Sequence, residues 1–188
     1  MAIRKIARMG HPILRVRGRD LTPAEIKSPK IQQLILDMID TMKEYGGIGL
    51  AAPQVHESLQ LAIIGYDEEN ERYPEKGSQP LSVFINPKIT VVDPALQGFW
   101  EGCLSVPDLR GYVERPRKIR VDYLDEKGNP GSIEPEGFLA TVFQHELDHL
   151  DGKLYLDRVT DTTKLSFNEE YQRYLAPAKD SDEGELEE

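Results

Sequence analysis

The stretch QHELDHLDG, Gln144 to Gly152, sets two histidines four residues apart, with a glutamate directly after the first. In a helix, residues i and i+4 share a face, so His145 and His149 would stand one turn apart, as two ligands to a single metal do. The surrounding segment GFLATVFQHELDHL reads as that helix, with Phe138, Val142, His145 and His149 on one face and Thr141 beside them. Two imidazoles on an apolar, core-directed face need polar partners, and a metal supplies them. Glu146, next to a ligand and not itself one, is placed to act as general base on the attacking water. A purely structural four-ligand site would have no use for an acid there. Phe138, Thr141 and Val142 would line an apolar substrate pocket on the metal side of the helix.

A catalytic metal site usually takes three protein ligands, so a third must be sought. The pattern HExxHxxGxxH holds as far as Gly152 but meets Tyr155 where its last histidine should stand. Another arrangement draws on a glutamate about twenty residues beyond the motif. Glu169 stands at that distance, although FNEEYQRY reads equally well as a surface helix. The remaining candidate is Cys103 in WEGCLSVP, where Gly102 allows close backbone approach and Pro107 suits a shaped loop or strand edge. A thiolate with two imidazoles suits divalent iron, zinc, nickel or cobalt. Spacing alone leaves both candidates open. In GGIGLAAPQV, Gly46 to Val55, the glycines would hold backbone open to a ligand, and Gln54 would offer an uncharged N–H donor to a developing oxyanion.

Outward from these motifs, the clearest other element is SPKIQQLILDMIDTMKEYGG. Ile31, Leu34, Ile35, Met38, Ile39 and Met42 make an apolar stripe, with Ser28-Pro29 as start signal and Gly46-Gly47 as stop. Short β-rich runs follow, LQLAIIGY, LSVFINP, KITVV and KIRVDYL, several of them separated by polar turns. The expected fold is α+β: antiparallel or mixed β-sheets packed around a central metal-binding HExxH helix, with an N-terminal amphipathic helix. Residues 1–176 would form one catalytic domain. The last residues, 177–188, carry six acids and no base from Asp180 onward, and would be a disordered tail. A net charge of -10 argues against specific nucleic-acid or anionic-membrane binding. The lone cysteine and the lack of an apolar leader point to the cytoplasm.

Taken together, GIGLAAPQ, EGCLS and QHELDHLDG resemble, in order, the three signature motifs of the peptide deformylase family. MGHPILR and VERPRKIRVDYLDEKGN resemble it too. The resemblance implies an α+β fold and removal of the formyl group from N-formylmethionyl ends of new polypeptides. It implies that Cys103, His145 and His149 hold one divalent metal, usually Fe2+ with Zn2+, Ni2+ or Co2+ accepted, and that Glu146 is the catalytic carboxylate. Gln54 and the backbone N–H of Leu104 would bind the formyl oxygen, and Ile48 and Gly49 would lie beside the bound peptide. Some members dock on the ribosome through a basic C-terminal helix. The acidic tail argues against that mode here and leaves at most a transient contact.

Overall fold

A computed structural model of the chain describes residues 2–66 and 78–176. The charged segment 67–77 and the expected acidic tail 177–188 lie outside the described residues. After a short helix α1 (Pro23–Ile26) comes α2 (Pro29–Glu44). The strands are β1 (Gly49–Ala51), β2 (Leu61–Tyr66), β3 (Gln79–Cys103), β4 (Val106–Leu124), β5 (Pro130–Ile133) and β6 (Leu165–Phe167), with α3 (Gly137–Leu150) between the last two. Among the described residues every strand pair is antiparallel, in the order β1-β2-β3-β4-β5 with β6 added to β4.

Helix α2 begins where Ser28 Oγ accepts the N–H of Ile31, with Pro29 at the first position, and ends before Gly46 at φ +62°. Its stripe, Ile31, Leu34, Ile35, Met38 and Met42, is buried against Leu50, Leu61, Ile63 and Ile85. Each such side chain contributes roughly 2 kcal/mol by leaving water. Strand alternation turns Ala51, Ala62 and Ile64 to the other face, where α3 packs with Ala140, Phe143, Leu147 and Leu150. The sheet around β1 and β2 is therefore covered on both sides.

The runs LSVFINP and KITVV, expected as separate strands, are parts of one long strand, β3, while KIRVDYL closes β4. Pro87 and Pro94 suggest breaks in the sequence, yet the ladder to β4 absorbs them as register shifts at Ile85/Lys88 and Asp93/Leu96. Asn86 turns through φ +49°, and its side chain bonds both the N–H and the carbonyl of Leu21 at 2.9 and 2.8 Å. Pro107, expected in a shaped loop or strand edge, is the second residue of β4. The shaped feature is the Leu104–Ser105 turn, which directly follows Cys103.

Candidate metal and catalytic centre

Two segments meet α3 at one point. Cys103 ends β3, His145 and His149 stand one turn apart on α3, and Gln54 lies in the 3-10 turn Ala52–Val55. The ligand atoms of Cys103, His145 and His149 all lie within 4.8 Å of one another, and all three residues are buried. Cys103 Sγ is 3.3 Å from His149 Nε2. The outer nitrogens are occupied: His145 Nδ1 is 2.7 Å from Glu101 Oε2, and His149 Nδ1 is 3.1 Å from the Lys153 carbonyl oxygen. Such partners fix the rings so that Nε2 is the nitrogen offered to an ion. A soft thiolate and two oriented imidazoles fit one divalent transition metal.

The three groups are coupled electrostatically. Burial pushes the Cys103 thiol up, but the charge of His149 and hydrogen bonding from both histidines outweigh it and hold the thiol well below its usual range. Burial pulls His145 down, while Cys103 and Glu101 raise it well above the usual imidazole range. His149 is raised as well, with Cys103 outweighing the effect of burial. The surroundings thus favour the thiolate, the form that binds metals.

Behind His145 runs a charge network that the motif reading missed. Arg115, only 3% exposed, grips Glu101 bidentately at 2.6 and 3.0 Å and reaches Asp148 at 2.8 Å. Arg158 holds Asp148 from the other side at 2.6 and 3.0 Å. Burial opposes the ionised form of Glu101, and His145 and Arg115 reverse it, so the carboxyl is held low. One signal was available in the sequence: Glu101 is two residues before Cys103, so a strand places both on one face. Nothing in the spacing named Arg115.

Gln54 is buried, and its amide orientation follows from its partners: Oε1 accepts the Ala51 N–H at 2.8 Å, while Nε2 lies 3.2 Å from Ser105 Oγ and 3.4 Å from Cys103 Sγ. Glu146 is also buried, and it packs on Gly49, where a Cβ would come within 2.6 Å of its side chain. Gly49 was expected beside a peptide, and the structure gives it a second use, as room for the carboxylate. Ile48, Phe138, Thr141 and Val142 line one cleft with His145 and Glu146, and Phe99, Trp100 and Glu101 join them without having been anticipated. Leu104 occupies the turn next to Cys103. Tyr155, at the position of the failed third histidine, stacks 6.0 Å from His145 and donates its hydroxyl to Leu109 O at 2.9 Å. Glu169 is exposed in the short helical turn Asn168–Glu170 and does not join the metal-ligand group.

Residues 3–165 match the family model for polypeptide deformylase. The chain belongs to that family. A peptide deformylase of Leptospira biflexa is 46% identical over 170 residues, 90% of this chain and 95% of that protein. Peptide deformylase 2 of Pseudomonas syringae pv. tomato is 46% identical over 166 residues, covering 88% and 92%. Among solved structures, the Met-Ala-Ser-bound class I type b peptide deformylase from Acinetobacter baumannii superposes with a TM-score of 0.80 at 37% identity, covering 84% of this chain and 98% of that one. The enzyme is a metal-dependent hydrolase that removes the N-formyl group from new peptides. No helix among the described residues is long and apolar enough to cross a membrane.

Proposed function

We propose that Cys103, His145 and His149 hold one divalent ion, Fe2+ in the cell with Zn2+, Ni2+ or Co2+ as substitutes, and that Glu146, Gln54 and Leu104 act on formylmethionyl peptides beside it. The observation that carries this reading is the convergence of the three ligand atoms within 4.8 Å beside a buried glutamate. A divalent ion in that set supplies Lewis acidity towards the formyl carbonyl and towards water. Glu146 takes the proton of the attacking water and returns it to the leaving nitrogen, which frees formate and an N-terminal amine. The Gln54 amide and the Leu104 N–H hold the oxygen as it gains charge, each donor worth roughly 3 kcal/mol. Because Ala51 occupies Gln54 Oε1, the amide nitrogen is the end turned towards Cys103.

Ile48, Phe138, Thr141 and Val142 receive the methionine side chain in an apolar cleft. The Acinetobacter baumannii relative was solved with Met-Ala-Ser bound, the peptide that loss of formyl from formyl-Met-Ala-Ser would leave. A carbonyl carrying only hydrogen fits where an acetyl methyl would clash. The substrates are nascent chains in the cytoplasm, with the ribosome met only transiently.

The test joins metal analysis to formate release from formyl-Met-Ala-Ser, with protein prepared anaerobically. One ion per chain, and release that disappears with a chelator and returns with Fe2+ or Ni2+, is the expected result. Internal peptide-bond cleavage without formate release would favour an endopeptidase and remove this assignment.

A further inference from the structure

Five side chains stack in a row along the face of the β3–β4 ribbon that points away from α3. Lys164 Nζ lies 4.7 Å from the Tyr112 ring centroid, and Tyr112 lies 5.9 Å from Trp100. Trp100 is 5.3 Å from Tyr171, over which the Arg110 guanidinium sits at 4.8 Å. Arg110 Nε also donates to Asn168 Oδ1 at 2.9 Å, tying the C-terminal turn to β4.

Strand alternation explains the separation of the faces. Phe99 and Glu101 turn to α3, where they meet Phe138 and His145, and Trp100 between them turns the other way. The register pairs Trp100 with Tyr112 and Gly102 with Arg110, so those side chains share the outer face. Gly98 makes room for the row, since a Cβ there would fall 2.1 Å from the Tyr112 hydroxyl. Several ordered side chains thus hold still a tryptophan that also lines the cleft shared by Ile48, His145 and Glu146.

Among the described residues, β1 pairs with β2 alone, and the β2–β3 ladder ends at Ile85. The residues after Ile48, and those from Phe99 to Glu101, therefore contribute open strand edges near the cleft. A peptide lying extended against such an edge sends successive side chains to opposite faces. With the methionine directed into the pocket on the α3 side, the next side chain faces the side of Trp100.

We infer that Trp100 is a specificity-determining residue that receives the side chain following formylmethionine, and that Tyr112 and Tyr171 hold its ring in place. The partner this surface fits is an apolar or aromatic second residue. The inference rests on the deformylase reading of the cleft.

Trp100 is the only tryptophan of the chain, so its emission reports on this position directly. Titrating Met-Phe-Ser into the nickel-loaded enzyme should change that emission and saturate at lower concentration than Met-Gly-Ser. In turnover, the ratio of kcat/KM for formyl-Met-Phe-Ser over formyl-Met-Gly-Ser should be about fivefold in the wild type, the scale of one aromatic pair. Trp100→Ala should bring that ratio near one at unchanged metal content. Tyr171→Ala should fall between, and Tyr171→Phe should restore the wild-type ratio. A wild-type ratio near one, or a ratio that survives in Trp100→Ala, would overturn the inference while leaving the deformylase assignment standing. Failure of the wild type to release formate from formyl-Met-Gly-Ser would remove that assignment and this inference with it.

Discussion

At the scale of the residue, the site depends on how each reactive atom is held. Glu146 is buried against Gly49, within the cleft that His145 lines, where one carboxylate can move one proton. Glu146→Gln keeps the shape and removes the proposed base. It should bind metal normally and lose on the order of 10³-fold in kcat. Wild-type formate release by the metal-loaded variant would take Glu146 out of the mechanism. Glu101 acts one step further back, through His145 Nδ1 and the Arg115 fork. Glu101→Gln should weaken metal affinity about 10- to 100-fold, read by competition with a chromogenic chelator, because the ring loses its anionic partner. Unchanged affinity would make the contact incidental. His145, His149 and Glu146 were legible because helix periodicity is a local rule. Glu101 was legible only in part, and Arg115 not at all, because a buried ion pair between β3 and β4 is decided by register, which spacing does not disclose.

At the scale of the element, α2 was readable end to end, since its cap, stripe and stop signal are all local. β3 was not, because its prolines mimic loop punctuation, and only the partner strand shows that bulges absorb them. The strand β1 was hidden inside a glycine-rich run whose purpose is spatial. Gly49→Ala should therefore cost activity more than stability, since the added methyl must displace the Glu146 side chain. A fall of kcat by an order of magnitude or more, with Tm nearly unchanged, is the expected pattern. Equal kinetics would show that Glu146 has room to spare. At the start of the fold, α1 carries a capping box in which Glu25 accepts the Thr22 N–H at 2.8 Å and Arg19 bonds it at the same distance. The Arg19 contact first, and Thr22 next, push the Glu25 carboxyl down to about 2. A depressed carboxylate stabilises the fold above its unfolded value and loses that contribution as pH falls towards the folded one. The Tm gap between wild type and Glu25→Gln should be small, because the group is solvent-exposed, and widest near neutral pH. It should close as pH falls from about 4.5 towards 2. A gap that widens in acid would contradict the assignment.

At the scale of the whole molecule, three segments far apart in sequence converge on one point: the turn holding Gln54, the end of β3 at Cys103 and the helix carrying His145 and His149. Their types and order could be read from the chain, and the family match over residues 3–165 agrees with that order. Their meeting could not be derived from spacing, which left Glu169 level with Cys103 until the fold put Glu169 on an exposed turn. Cys103 is the proposed third ligand, and a metal-bound thiolate can be seen directly. The absorption spectrum of the cobalt-substituted enzyme should show a sulfur-to-metal charge-transfer band that persists in Glu169→Gln and is absent in Cys103→Ala, which should also fail to release formate. A cobalt spectrum without that band in the wild type, or a Cys103→Ala protein that keeps its metal and its turnover while Glu169→Gln loses both, would contradict it.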